Sequence, residues 1–134
     1  MSTLTISNLN DGTTTVPTTV VTNGSAKVWC NFNGSGTVAI RDSFSVSSVT
    51  DQGTGGFHIN FASDMGNDDY TTTGYSNGHS ANTNFYSALF VALQTGHAPV
   101  SSSTSSFTTL VSYQQSVGHQ DGAINFVVVH GDLA

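Results

Sequence analysis

Residues 43–62 read SFSVSSVTDQGTGGFHINFA, and their alternation decides the fold. Phe57, Ile59 and Phe61 fall on one face of an extended chain, with His58 and Asn60 on the other. Successive side chains of a strand point to opposite faces, so this two-residue period marks a half-buried strand. Gly53, Gly55 and Gly56 place a loop before it. On the far side of that loop Phe44 and Val46 keep one parity, and Val49 breaks it by one residue across Ser47-Ser48. A β-bulge adds one residue in this way and bends the strand, so the segment is expected to be a bulged hairpin.

The same alternation extends outward from the hairpin. Val28, Cys30 and Phe32 share one face, with Trp29 and Asn31 opposite. Asn33 to Gly36 makes a turn, and Thr37 to Ile40 is expected to return as a strand with Val38 and Ile40 inward, a parity that Phe44 continues. Further strands are expected at about 70–75, 85–93, 107–113 and 123–129. Eight or nine short strands at this spacing predict an all-β fold, an antiparallel β-sandwich, filling residues 26–134. Residues 1–25 stand apart: they contain no aromatic residue, and Asp11-Gly12 and Asn23-Gly24 are turn dipeptides. Val16, Pro17, Val20 and Val21 read as extended, so an N-terminal extended segment is expected there, available for attachment or for subunit-interface strands.

Composition supports the same class. Ser and Thr number 19 each among 134 residues, and only 7% are charged, against about a quarter in an ordinary domain. All eight acids are Asp, and Lys27 and Arg41 are the two basic residues. With the strong helix formers Glu, Lys and Arg absent or sparse, a helical bundle is excluded. A hydrophobic fraction of 37% also argues against disorder. The formal charge of −6 leaves no basic stripe for nucleic acid and no attraction to an anionic membrane surface. No apolar run is long enough to span a bilayer, and the N-terminus MSTLTISNLN has no signal-peptide pattern. With a single cysteine, Cys30, no internal disulfide forms. Synthesis and maturation in a cytoplasm are the expectation.

Residues 88–93 and 126–129 are apolar on both faces, although one face of an antiparallel sandwich strand ordinarily meets water. Each can bury its second face against a neighbouring subunit, or under a loop of its own chain. The low charge favours the subunit, because interface cores are depleted in charged residues.

The motifs that resemble chemistry do not hold together. Gly74 to Gly78 matches G-x-S-x-G, but no helical period follows it and the chain is too short for the parallel-sheet fold that a nucleophile elbow needs. Asn23-Gly24-Ser25 and Asn33-Gly34-Ser35 read as turns, and Asp64 to Asp69 lacks the alternating oxygens and closing Glu of a calcium loop. His119-Gln120-Asp121 and His130-Gly131-Asp132 repeat an H-x-D spacing without a helix to hold them in register. They read as loop or rim histidines. No enzyme, metal or other cofactor is expected. What remains is binding: loops at 67–86 and 94–106 carry Tyr70, Tyr75, Asn77, His79, Asn82, Asn84, Tyr86 and His97. Rings that cover the apolar faces of sugars, beside amides that read hydroxyls, suit a saccharide. Function often sits on loops held by a rigid scaffold. Tyr75, Asn77, His79, Asn82, Asn84, Tyr86 and His97 are therefore the candidate receptor-binding residues.

One long stretch is less anonymous. Residues 26–55 follow the pattern AK-x-W-x-NFNG-x-GT-x-AIR-x-S-x-x-VSS-x-TD-x-GTG, which resembles a segment recurrent in bacteriophage tail-fibre proteins. The likeness covers about residues 16–76, including Phe57 to Phe61, Met65 and Asp69-Tyr70, and returns over Asp121 to Gly131. Residues 77–118 show no matching pattern. The resemblance implies a virion component, made in the host cytoplasm and assembled into the particle as a homotrimer. It would sit in a fibre or tail appendage, contact other tail or capsid proteins, and attach to a host-surface glycan or protein. The alternative within the same class is a purely structural adaptor or capsid decoration. Lys27 and Arg41 both fall within the shared pattern and are expected to form ion pairs with Asp. Cys30 departs from it, since an aliphatic residue is more usual there, as does the histidine-rich second half.

Overall fold

The structure, a computed structural model, describes residues 3–77, 102–110, 113–114, 118–119 and 121–134. Its elements in chain order are β1 (Asn8–Asn10), β2 (Thr15–Pro17), α1 (Thr18–Gly24), β3 (Val28–Asn33), β4 (Ala39–Phe44), β5 (Val46–Asp51), β6 (Gly56–Phe61), β7 (Thr71–Asn77), β8 (Ser102–Ser103), β9 (Ser106–Leu110), β10 (Tyr113–Gln114), β11 (Gly118–His119) and β12 (Ile124–His130). Among the described residues, two four-stranded antiparallel sheets, ordered β4-β3-β12-β7 and β5-β6-β9-β8, form the body. Two short ribbons, β1-β2 and β10-β11, accompany them. The fold is all-β and sandwich-like, as the alternation predicts.

Inner faces of the two sheets share one core. Val28, Cys30, Phe32, Val127 and Val129 come from the first sheet, and Phe57, Ile59, Phe61 and Phe107 from the second. Phe32 meets Phe57 edge-on with centroids 5.1 Å apart. Phe61 lies between Phe107 and Tyr70, at 5.9 and 5.7 Å, and the Tyr70 hydroxyl donates to the carbonyls of Ser103 and Ser106. Edge-on and offset rings are the arrangements the aromatic quadrupole favours. The core also contains a polar group that is fully paired. Asn125 Nδ2 donates to the carbonyls of Phe32 and Gly122, and its Oδ1 accepts from Ser76 Oγ at 2.7 Å. Ser76, the serine of the G-x-S-x-G match, is thus a buried residue of β7.

The 43–62 hairpin forms as β5 and β6, with a register shift between Val46 and Ser48. Ser47, the bulged residue, donates its hydroxyl to the carbonyls of Asn60 and Phe61. Ser45 has φ 56° and separates β4 from β5, so the chain passes from one sheet to the other across this residue.

Three expectations are corrected. Alternation puts Ile40 and Phe44 inward, yet they are 38% and 55% exposed. A second register shift, opposite Asn31 and Phe32, leaves Arg41 as the extra residue of β4. It puts Ser43 across from Cys30 and Phe44 across from Trp29, on the outer face. Ile40 stays across from Phe32 but lies on an edge strand. The third correction concerns Val20 and Val21, which are in α1 rather than extended chain. β-Branched residues are poor helix formers, so local preference does not explain the turn. Its C-terminal end is held from outside by Lys27, whose Nζ donates to the carbonyls of Thr22 and Ser25 and to Ser25 Oγ, and a cation there is favourable. The expected strand at 85–93 lies outside the described residues.

Candidate interaction face

The two sheets present opposite chemistry to their surroundings. On the outer face of β5-β6-β9-β8 the cross-strand rows are Thr50, His58, Thr108 and Ser48, Asn60, Ser106. The His58 ring places Nδ1 2.9 Å from Thr108 Oγ1 and Nε2 2.9 Å from Ser106 Oγ. Asn60 Nδ2 donates to Ser48 Oγ at 2.9 Å. This face is a lattice of hydroxyl, amide and imidazole groups bonded to one another.

On the outer face of β4-β3-β12-β7 the rows are Thr73, Val128, Trp29, Phe44 and Tyr75, Phe126, Asn31, Asp42, with Ile124 across from Asn77 beyond them. Tyr75 and Phe126 stack with centroids 6.4 Å apart and planes 25° from parallel. Tyr75 is 44%, Phe126 41% and Ile124 38% exposed, and Trp29 and Val128 are half-buried. Arg41 borders this surface, with Nη2 donating to the Ala123 carbonyl at 2.6 Å and Nη1 to Asn31 Oδ1. Neither Lys27 nor Arg41 pairs with an Asp within the described residues; backbone carbonyls and Ser and Asn side-chain oxygens accept their hydrogen bonds.

The geometry can bury apolar area and orient it, and little else. Rings on adjacent strands of a rigid sheet are pre-ordered, so covering them costs little conformational entropy. Isolated surface hydrophobics are ordinary, whereas several joined across neighbouring strands mark an interaction surface. No group of three or more His, Cys, Asp or Glu that could hold a metal occurs among the described residues. The Cys30 thiol is buried and pushed up to about 11 by that burial, so it is not a nucleophile at neutral pH. Burial also raises the Tyr70 phenol.

Of the candidate receptor-binding residues, Tyr75 belongs to this sheet face rather than to a loop. Asn77 ends β7, across from Ile124. His79, Asn82, Asn84, Tyr86 and His97 lie outside the described residues. The aromatic character of β12 was readable from residues 126–129. Phe44 was missed because its orientation depends on the Arg41 bulge, which no alternation within β4 reveals. No family model matches the chain, and no curated protein or solved structure matches it.

Proposed function

We propose that this chain is a homotrimeric structural subunit of a bacteriophage virion, a tail-fibre or appendage domain that attaches the particle to its host. The observation that carries the self-associating part is the Tyr75–Phe126–Ile124 face, open to solvent beside Trp29 and Val128 on a chain with few charges. The tail-fibre-like pattern supports the virion setting. Its fixed positions include the core residue Phe32 and Gly34, which packs against Phe57, and so serve as scaffold. The expected binding loops at 67–86 and 94–106 include β7, β8 and the start of β9, so host contact is assigned to residues 77–86 and 94–101, where a surface glycan or protein would meet Asn77, His79, Asn82, Asn84, Tyr86 and His97. No catalytic step is assigned to any residue.

A second reading, a structural adaptor or capsid decoration without a receptor of its own, is favoured by one observation. Tyr75, one of the candidate receptor contacts, lies on the sheet face stacked with Phe126 rather than on a loop. The two readings separate in an adsorption assay. Particles whose subunit has residues 77–86 replaced are expected to lose adsorption to host cells while the subunit still incorporates. Full adsorption by particles lacking the protein would exclude attachment and leave the structural reading. A monomeric mass in solution at tens of micromolar would remove the trimer.

A further inference from the structure

Asn23-Gly24 and Asn33-Gly34 are the same dipeptide in two different settings. An asparagine followed by glycine can lose its side-chain amide without an enzyme. The glycine amide nitrogen attacks Cγ of the asparagine and a new N–Cγ bond forms. The side-chain nitrogen leaves as ammonia, taking the proton of the attacking amide. Water then opens the cyclic imide at one carbonyl or the other, leaving an aspartyl or an isoaspartyl residue. Glycine favours the attack because it has no Cβ in the way and adopts backbone angles that other residues resist. The step needs a peptide free to turn and an amide nitrogen that is not held elsewhere.

The fold withholds both conditions from Asn33. Its Nδ2 donates to the carbonyls of Ser35 and Thr37, and its Oδ1 accepts from the Ser35 amide. Gly34 is buried, and its amide donates to the Gly122 carbonyl at 2.9 Å. A Cβ there would run into Phe57, whereas nothing lies within 4 Å of one at Gly24. Asn23 and Gly24 are both exposed. The bond that Asn23 Oδ1 accepts from Thr22 Oγ1 is long, at 3.4 Å. Lys27 holds the flanking carbonyls of Thr22 and Ser25 and leaves the peptide between residues 23 and 24 alone. α1 has seven residues, none of them buried, and Gly24 is its last. So short a helix is marginal, and helix ends fray.

We infer that Asn23 is the deamidation site of the folded chain and that the fold protects Asn33. The inference is independent of the virion reading. The change falls at the joint between the N-terminal arm and the sandwich. It puts a carboxylate into the pocket of about 660 Å³ that Asn23 lines together with Lys27, a cation with no Asp partner among the described residues. The isoaspartyl product also lengthens the backbone of that joint by one methylene.

The test incubates the full chain in mildly alkaline buffer, folded in one arm and in urea in the other. Each sample is then digested with trypsin and read by fragment mass. Lys27 and Arg41 are the only cleavage sites, so Asn23 falls in residues 1–27 and Asn33 in residues 28–41. In urea the two fragments are expected to convert at similar rates. In the folded chain fragment 1–27 is expected to convert at least about a hundredfold faster than 28–41, because a frayed helix end opens at little cost and the turn at Asn33 opens only with the body. Asn23→Gln is expected to abolish the conversion of 1–27. Equal conversion of the two fragments in the folded chain overturns the inference. So does an unchanged 1–27 over the time in which the urea sample converts fully, or conversion of 1–27 that persists in Asn23→Gln.

Discussion

Replacing Phe126 with Ser tests the role of the outer face most directly. Phe126 is 41% exposed, so of the roughly 200 Å² an aromatic side chain can bury, about 80 Å² remains for a partner to cover. At about 25 cal/mol per Å² that area is worth about 2 kcal/mol per contact, or about thirty-fold in the association constant of each interface. Within the chain, Phe126→Ser also loses the roughly 120 Å² its own neighbours already cover and the stack on Tyr75, together about 3–4 kcal/mol of folding stability. The two losses separate by concentration. Sedimentation equilibrium across a hundred-fold dilution series reads the association, and urea unfolding of the dilute monomer reads the fold. We expect dissociation to shift to about thirty-fold higher concentration, or further where several contacts per ring are lost together. An unchanged series for Phe126→Ser, with Phe44→Ser and Tyr75→Ser also silent, would refute the assignment of this face to self-association.

Other outcomes follow from the interior. Asn125→Ala removes three hydrogen bonds in a fully buried setting and should cost about 3 kcal/mol in urea unfolding, whereas Ser76→Ala, which removes one, should cost about 1 kcal/mol. Gly34→Ala places a methyl carbon 2.5 Å from Phe57 Cζ and 3.0 Å from the Gly122 carbonyl; a loss of about 2 kcal/mol is expected, partly recovered by Phe57→Leu. Cys30 provides a pH test. Burial pushes it up from the ordinary 9.0 to about 11 in the folded chain, so the unfolded chain releases the thiol proton first. Stability from this group is full below pH 9 and declines as pH rises toward 11, by about 2–3 kcal/mol. The urea midpoint of Cys30→Ala should show a correspondingly shallower decline over that window.

Legibility followed the distance over which each feature is decided. The β5–β6 hairpin was readable because its alternation, its glycine loop and its bulge at Ser47 all lie within twenty residues. The inward positions Val28, Cys30 and Phe32 of β3 were readable for the same reason, whereas those of β12 were not, because its run is apolar on both faces. Phe44 and Ile40 were not, because β4 takes its register from β3 and the Arg41 bulge is a property of the pair. α1 was hidden because Thr and Val argue for strand, and what holds the helix is a lysine three residues beyond its end. Of the candidate site, the apolar second face of β12 was visible as a run of Phe and Val. Its extension to Trp29 and Phe44 required the sheet order, which brings together residues about a hundred positions apart.

The bulges at Arg41 and Ser47 have a consequence for aggregation. Among the described residues, β4 and β5 are edge strands of their respective sheets, joined through Ser45 into one bent run along the side of the sandwich. An unpaired edge invites strand addition from another chain, and proteins commonly defend it with charges, prolines or bulges. With ten charged residues to spend, this chain places Arg41 and Asp42 on β4 and closes β5 with Asp51. The rest of the defence is geometric, since each edge carries a bulge that breaks the repeat a foreign strand would need to copy. Deleting Ser47 would straighten β5 and leave its backbone free to template another strand, with fibrillar aggregation as the expected result in a thioflavin assay.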